Sequence, residues 1–263
     1  MSRKIADLEF VRRPQRVLRL DLFLPDKPAG PVPLAVWVYG GGWLSGDKVP
    51  CHAEYLTAHG FAAASIEYRY SQEAIFPAAV ADCHAAICWL KARAGQYGID
   101  ADRIGLIGES AGGHLVALLG TSGHYVNWSG AADPADCGRV QAVVALCGPS
   151  LLARCAHPAV RQQFVDLAKV TDQFLGGPVA QRLAQARDAS PLSYVHPGCP
   201  PFLILHGRKD NIVPIVESEL LHQCLLDAGV DSTFAPFPDA GHALFSDRAT
   251  AMVLDFFRRT LQA

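Results

Sequence analysis

The pentapeptide Gly108-Glu109-Ser110-Ala111-Gly112 most narrows what this chain can fold into. It follows a short apolar run, residues 103–107, that reads as a strand, and it leads into residues 111–119, which read as a helix. A G-x-S-x-G sequence at a strand-to-helix junction places its serine on a sharp, strained turn. Small residues two before and two after leave room for that turn. The alternative is a glycine-rich turn with a solvated serine, and the strand before it and the helix after it count against that.

The flanking sequence repeats the strand-then-helix pattern. Residues 17–24 alternate, with Arg19 and Asp21 on one face, which predicts an antiparallel strand near a sheet edge. Residues 25–33 form a Pro- and Gly-rich turn. Buried strands are expected at 34–39, 61–68, 140–147 and 202–206, with a final strand at 233–237. Helical spacing covers 77–97, where Pro77 suits the first turn, and 249–261 closes the chain as a helix. Strands alternating with helices predict an α/β fold with a mostly parallel central sheet flanked by helices. Residues 150–190 break the alternation. They are long for a connection and mostly helical, with Phe164, Val165, Leu167, Phe174 and Leu175 as apolar anchors, and are expected to form a lid insertion in a single domain spanning 1–263.

Composition agrees with a buried core. Half the residues are hydrophobic and 18% are charged, so the chain has no need to stay disordered. A net charge of −2 with no basic stripe speaks against nucleic acid as a partner. No apolar stretch approaches the ~18 residues of a membrane span, and the Arg-rich first twenty residues lack a signal-peptide core, so a cytoplasmic location is expected. The eight cysteines, at 51, 83, 88, 137, 147, 155, 199 and 224, include no C-x-x-C pair. They read as buried small hydrophobes, mostly reduced, with no zinc site.

Three further segments supply partners for Ser110. Tyr39-Gly40-Gly41-Gly42-Trp43 follows a buried strand, and its glycines let the backbone approach a substrate with N–H groups forward. The amides of Gly41, Gly42 and Ala111 are the candidate donors to an oxyanion, each worth roughly 2.7–4 kcal/mol in a transition state. Asp210 follows the apolar strand 202–206 and so falls at a carboxyl strand end, where ligands gather in open α/β sheets. Alone it would read as a turn or cap residue, and neighbouring His206 as structural. His242 lies in Asp239-Ala240-Gly241-His242-Ala243, a loop that can carry a base over the serine. The order Ser110, Asp210, His242 is that of a nucleophile, an orienting acid and a base on this kind of sheet. Trp43, Ala243 and Leu244 are the expected substrate contacts. Glu109 is expected to make structural hydrogen bonds. This chemistry calls for no metal and no cofactor, and oligomeric state is not legible.

At these residues the chain resembles the α/β-hydrolase superfamily esterases related to bifunctional feruloyl and acetyl-xylan esterases, near the hormone-sensitive-lipase group. The resemblance runs from about residue 17 to the C-terminus. It rests on the segments at 39–43 and 108–114, on Ser45-Gly46-Asp47-Lys48, Tyr68-Arg69-Tyr70 and Phe76-Pro77-Ala78-Ala79, and on Tyr97-Gly98-Ile99-Asp100, Arg103-Ile104, Ser190-Pro191 and 206–210. It implies a serine carboxylesterase acting on a small-molecule ester with a short-to-medium acyl or aromatic, feruloyl-like, group. Ser110-Ala111-Gly112-Gly113-His114 also resembles formamidases acting on N-formylkynurenine, and a ligand-binding homologue without turnover is the reading of another class. The family usually has His where this chain has Tyr39. That His helps hold the glycine loop by hydrogen bonds, and a phenol differs in reach, but the intact glycines are expected to preserve the oxyanion hole.

Overall fold

Eight strands form one sheet among the residues described in the computed structural model, namely 2–14, 16–26, 28–130 and 136–262. In chain order the elements begin β1 (Arg3–Arg13), β2 (Arg16–Leu24), β3 (Val32–Val38), β4 (Ala62–Ile66), α1 (Ala78–Ala92), α2 (Ala94–Tyr97), β5 (Ile99–Glu109) and α3 (Ala111–Ser122). They continue with β6 (Ala142–Leu146), α4 (Pro158–Gln163), α5 (Val165–Leu175), α6 (Leu183–Asp188), β7 (Phe202–Gly207), α7 (Val216–Asp227), β8 (Ser232–Phe237) and α8 (Asp247–Leu261). The strand order is β1-β2-β4-β3-β5-β6-β7-β8. The β1–β2 and β2–β4 pairs are antiparallel and all others parallel. Strands β3, β4, β6 and β7 are buried along their whole length, as parallel strands covered on both faces must be.

Two elements were not expected. Strand β1 is mostly exposed, dense in charge and broken by bulges, with Asp7 at φ 56°, so it shows little apolar alternation. It covers the edge of β2, and that charge is how an exposed edge strand resists further pairing. Helix α7 has no strong apolar stripe, yet buries Glu217, Ser218, Leu221 and Leu225. Residues 150–190 are helical as expected. Leu167, Phe174 and Leu175 are buried, but Val165, the first residue of α5, is 45% exposed and anchors nothing. No helix among the described residues is long and apolar enough to cross a membrane.

The cysteine expectation needs one correction. Cys88 on α1 is bridged to Cys137. Six cysteines are free, five of them buried and Cys224 half-buried. A sequence separation of 49 residues hid the pair, because only the fold brings the segment before β6 against α1.

Strand β1 reaches the functional edge through a buried carboxylate. Asp82, fully buried on α1, accepts from Arg13 Nε at 2.7 Å and from Arg69 Nε at 2.7 Å and Nη2 at 3.0 Å. The Arg69 amide adds a bond at 3.1 Å. Removing one partner of such a cluster strands buried charge. Asp82→Ala is therefore expected to lower unfolding stability by about 3 kcal/mol in urea titration. A loss within error of zero would show that the clamp carries no load.

Candidate active site

Steric contact fixes the turn at Ser110. A Cβ on Gly112 would lie 2.1 Å from Val38 O and 2.6 Å from Tyr39 O, and one on Gly108 would lie 2.5 Å from Gly112 O. Only glycine at both positions lets β5 turn into α3 this close to the end of β3. Ser110 itself takes φ 53°, ψ −121°, a strained backbone for a residue with a side chain. Its amide donates to Leu146 O at 2.8 Å and its carbonyl accepts from the His114 amide at 2.9 Å.

The glycine loop after β3 lies over this turn. Gly41 and Gly42 have φ 109° and 62°. Gly41 O accepts from the Leu44 and Ser45 amides, which closes the loop on itself. The N–H groups of Gly41, Gly42 and Ala111 make no hydrogen bond to another described residue, and all three residues line the cavity that holds Ser110. Tyr39 gives the loop no side-chain hydrogen bond. Its hydroxyl is buried without a partner and its ring stacks on Tyr68, with centroids 4.6 Å apart. The bonding comes from Tyr68 instead, whose hydroxyl donates to Tyr39 O at 3.0 Å and Gly40 O at 3.4 Å. The following residues continue the pattern. Tyr70 Oη donates to Gly46 O at 2.6 Å, Ser71 Oγ to Trp43 O at 3.1 Å and Gln72 Nε2 to Leu44 O at 2.7 Å. Arg69, clamped by Asp82, sits in the middle of this run.

Trp43 lines the cavity as expected, although it is only 1% exposed. Its indole stacks on Phe174 and donates from Nε1 to His114 Nδ1 at 3.2 Å. His114 Nε2 donates in turn to Ala189 O at 2.7 Å. Burial pushes the His114 imidazole down to about 4, so it is neutral with its proton on Nε2. This side chain ties the glycine loop to α3 and to the end of α6.

Asp210 and His242 meet across two loops. Asp210 Oδ2 accepts from His242 Nδ1 at 2.7 Å and from His206 Nε2 at 3.0 Å, and Oδ1 accepts from the Ile212 and Val213 amides at 2.8 and 2.9 Å. Burial alone would raise the Asp210 carboxyl. The bonds from His206, His242, Val213 and Ile212 outweigh it and hold the group well below the usual carboxylate range. The ionised carboxylate keeps the His242 proton on Nδ1, which leaves Nε2 with its lone pair. His206, read from sequence as structural only, is a direct partner of this carboxylate. Ser218 on α7 sits 2.7 Å from its Nδ1 and fits a hydroxyl donor there, leaving Nε2–H to be shared between Asp210 Oδ2 and Val213 O, each 3.0 Å away.

Ser110 and His242 line one cavity of about 550 Å³, with Gly41, Gly42, Ala111, Leu167, Val170, Ile212, Ala243 and Phe245 among its walls. Ser110 Oγ makes no hydrogen bond to a described residue, so the serine and the imidazole face the same space without being bonded. Ala243 lies on the cavity as expected. Leu244 does not: it is 4% exposed and packed in the core, and Phe245, 51% exposed, takes its place. Residue alternation in a loop cannot be read from sequence, so this was a one-position error. Glu109 lines the cavity without the expected hydrogen bonds. Cys147 lies behind the site, its thiol donating to His242 O at 3.1 Å, and burial raises it so that it stays protonated.

Two clusters among the described residues bring three potential metal ligands within 4.8 Å of one another. In Cys147, Asp210 and His242 the carboxylate and imidazole already bond each other. In His84, Cys88 and Cys137 the sulfurs are joined in the disulfide. Neither presents an open ligand set.

The family model described as BD-FAE matches residues 20–225, most of the chain. The chain belongs to the BD-FAE family. Among curated relatives of this BD-FAE chain, esterase LipC of Mycobacterium tuberculosis is 31% identical over 226 residues, which cover 82% of this chain and 54% of LipC. The chain spans about half the length of the curated relatives it matches. A truncated carbohydrate esterase from gut microbiota superposes with a TM-score of 0.87 at 26% identity, covering 100% of this chain and 97% of that one. The propionate-bound esterase Est2 of Thermogutta terrifontis superposes with a TM-score of 0.75 at 26% identity, covering 94% and 89%.

The loop-holding role of Tyr68 in this BD-FAE chain has a kinetic signature. Tyr68→Phe keeps the ring and removes two bonds to the glycine loop. It is expected to lower kcat by about tenfold with little change in KM, because a loosened donor array loses transition-state contacts first. An equal rise in KM with kcat unchanged would place the effect in substrate binding instead.

Proposed function

We propose that this chain is a serine carboxylic-ester hydrolase, in which Ser110 is the nucleophile, His242 the general base and Asp210 its orienting acid. The observation that carries the reading is the His242 imidazole, fixed by an ionised Asp210 with Nε2 unprotonated, on the cavity that also holds a strained serine and three unbonded amides.

In this mechanism His242 Nε2 takes the Ser110 proton as the hydroxyl attacks the ester carbonyl. Asp210 keeps the tautomer and stabilises the imidazolium. The Gly41, Gly42 and Ala111 amides receive the oxyanion. His242 then protonates the leaving alcohol, and water repeats the sequence on the acyl-enzyme. Leu167, Val170 and Phe245 shape the cavity for a short-to-medium acyl or an aromatic group, and the propionate bound in the Thermogutta esterase supports the shorter end. Residues 150–190 act as a lid over a single domain, since α5 supplies Leu167 and Val170 to the cavity wall. The substrate is a small molecule and the setting cytoplasmic in this proposal.

A panel of p-nitrophenyl esters from acetyl to long chain, with methyl ferulate and N-formylkynurenine, tests the reading. Turnover is expected to fall with chain length, and Ser110→Ala to reduce it by about 10⁴-fold or more while the melting temperature holds. Selective turnover of N-formylkynurenine would make the chain a formamidase. Ester turnover that survives Ser110→Ala would remove Ser110 from the mechanism.

A further inference from the structure

The mechanism leaves a half-buried charged group on the cavity without a task. Glu109 is half-buried at the end of β5, where its backbone pairs with β6, and its side chain makes no hydrogen bond or ion pair with any described residue. The described residues lining this cavity include no Lys or Arg, and the only other carboxylate among them outside the Asp210–His242 pair is Asp166, exposed on α5. Elsewhere the wall is apolar, and the exposed ring of Phe245 stands at its edge. An uncompensated carboxylate beside a mostly apolar wall acts at reduced dielectric, where its sign discriminates strongly between charged ligands.

We infer that Glu109 makes the cavity an electrostatic filter, which prefers an ester carrying a cationic nitrogen to its neutral isostere and disfavours an ester carrying a carboxylate. The inference rests on the ester-hydrolase reading above. A cation gains from Glu109, whereas an anion meets a like charge with no Lys or Arg on the wall to offset it. A neutral hydroxyl could also bond to Glu109, but it would not make preference follow the sign of charge.

The same burial gives a second readout. Burial raises the Glu109 carboxyl, and His242, in its protonated form, opposes this only in part. The folded state therefore holds the proton more tightly than the unfolded one. Stability falls as pH climbs from the ordinary glutamate range through the raised value. Glu109→Gln removes this loss, so the variant is expected to melt above wild type at pH 7, with the gap closing as pH falls below about 4.

The direct test compares acetylcholine with 3,3-dimethylbutyl acetate, and monomethyl glutarate with dimethyl glutarate, for wild type, Glu109→Gln and Glu109→Asp. Wild type is expected to favour acetylcholine by about tenfold in kcat/KM at low salt, and the preference should shrink as salt screens it. Glu109→Gln should bring both charge ratios close to one, and Glu109→Asp should keep their direction. A wild-type ratio near one, or a ratio that Glu109→Gln leaves unchanged, overturns the filter while neutral-ester turnover leaves the hydrolase reading standing. No turnover of either neutral ester removes the hydrolase reading and the filter together.

Discussion

Gly112 lies where any side chain would run into the carbonyls of Val38 and Tyr39, and the rest of the site follows from that contact. It brings the start of α3 against the end of β3. Two chain segments far apart in sequence therefore present their amides to one space. Ser110 is held between them in a backbone conformation its own side chain disfavours. Strain of this kind persists only where the surroundings over-determine it. Here they do so through the Ser110 amide on Leu146 O, the glycines at 108 and 112, and the packed parallel strands on either side.

Within the glycine loop only Gly41 O is bonded by the loop's own amides, and the carbonyls of residues 39, 40, 43, 44 and 46 are held from outside. Tyr68, Tyr70, Ser71 and Gln72 bond four successive stretches of it, and Arg69 anchors that run to Asp82. Arg13 brings the edge strand into the same cluster. On the other side Trp43 is fixed by His114, which also reaches Ala189. Loop, elbow helix and the helical segment after β6 thus share one rigid support. Each link is a polar group with a defined partner, and those at Tyr68, Ser71, Asp82 and His114 are buried, which is what gives such a support a single geometry.

The pentapeptide, the buried strands and the order of Ser110, Asp210 and His242 were legible because each leaves a local pattern. What stayed hidden depends on distant partners. β1 carries the charge of an exposed edge strand rather than an apolar alternation. His206 looks like any strand-end histidine until α7 brings Ser218 to one nitrogen and the 207–213 loop brings Asp210 to the other. Tyr39 and Tyr68 are both aromatic residues near strand ends, and only packing decides which hydroxyl meets a carbonyl. The exchange of Leu244 for Phe245 is a facing error, whereas Trp43 lines the cavity as expected and only its second role, as loop anchor, stayed hidden. In an irregular segment no period tells which side chain points inward.

The account turns on Ser110 being activated by an imidazole that Asp210 holds in one tautomer. Treating the protein with a fluorophosphonate ester, followed by intact-mass measurement and peptide mapping, tests this most directly. A single phosphonyl adduct on Ser110 is predicted, absent in Ser110→Ala and formed far more slowly in His242→Ala. An adduct on another residue, or equal labelling without His242, would contradict it.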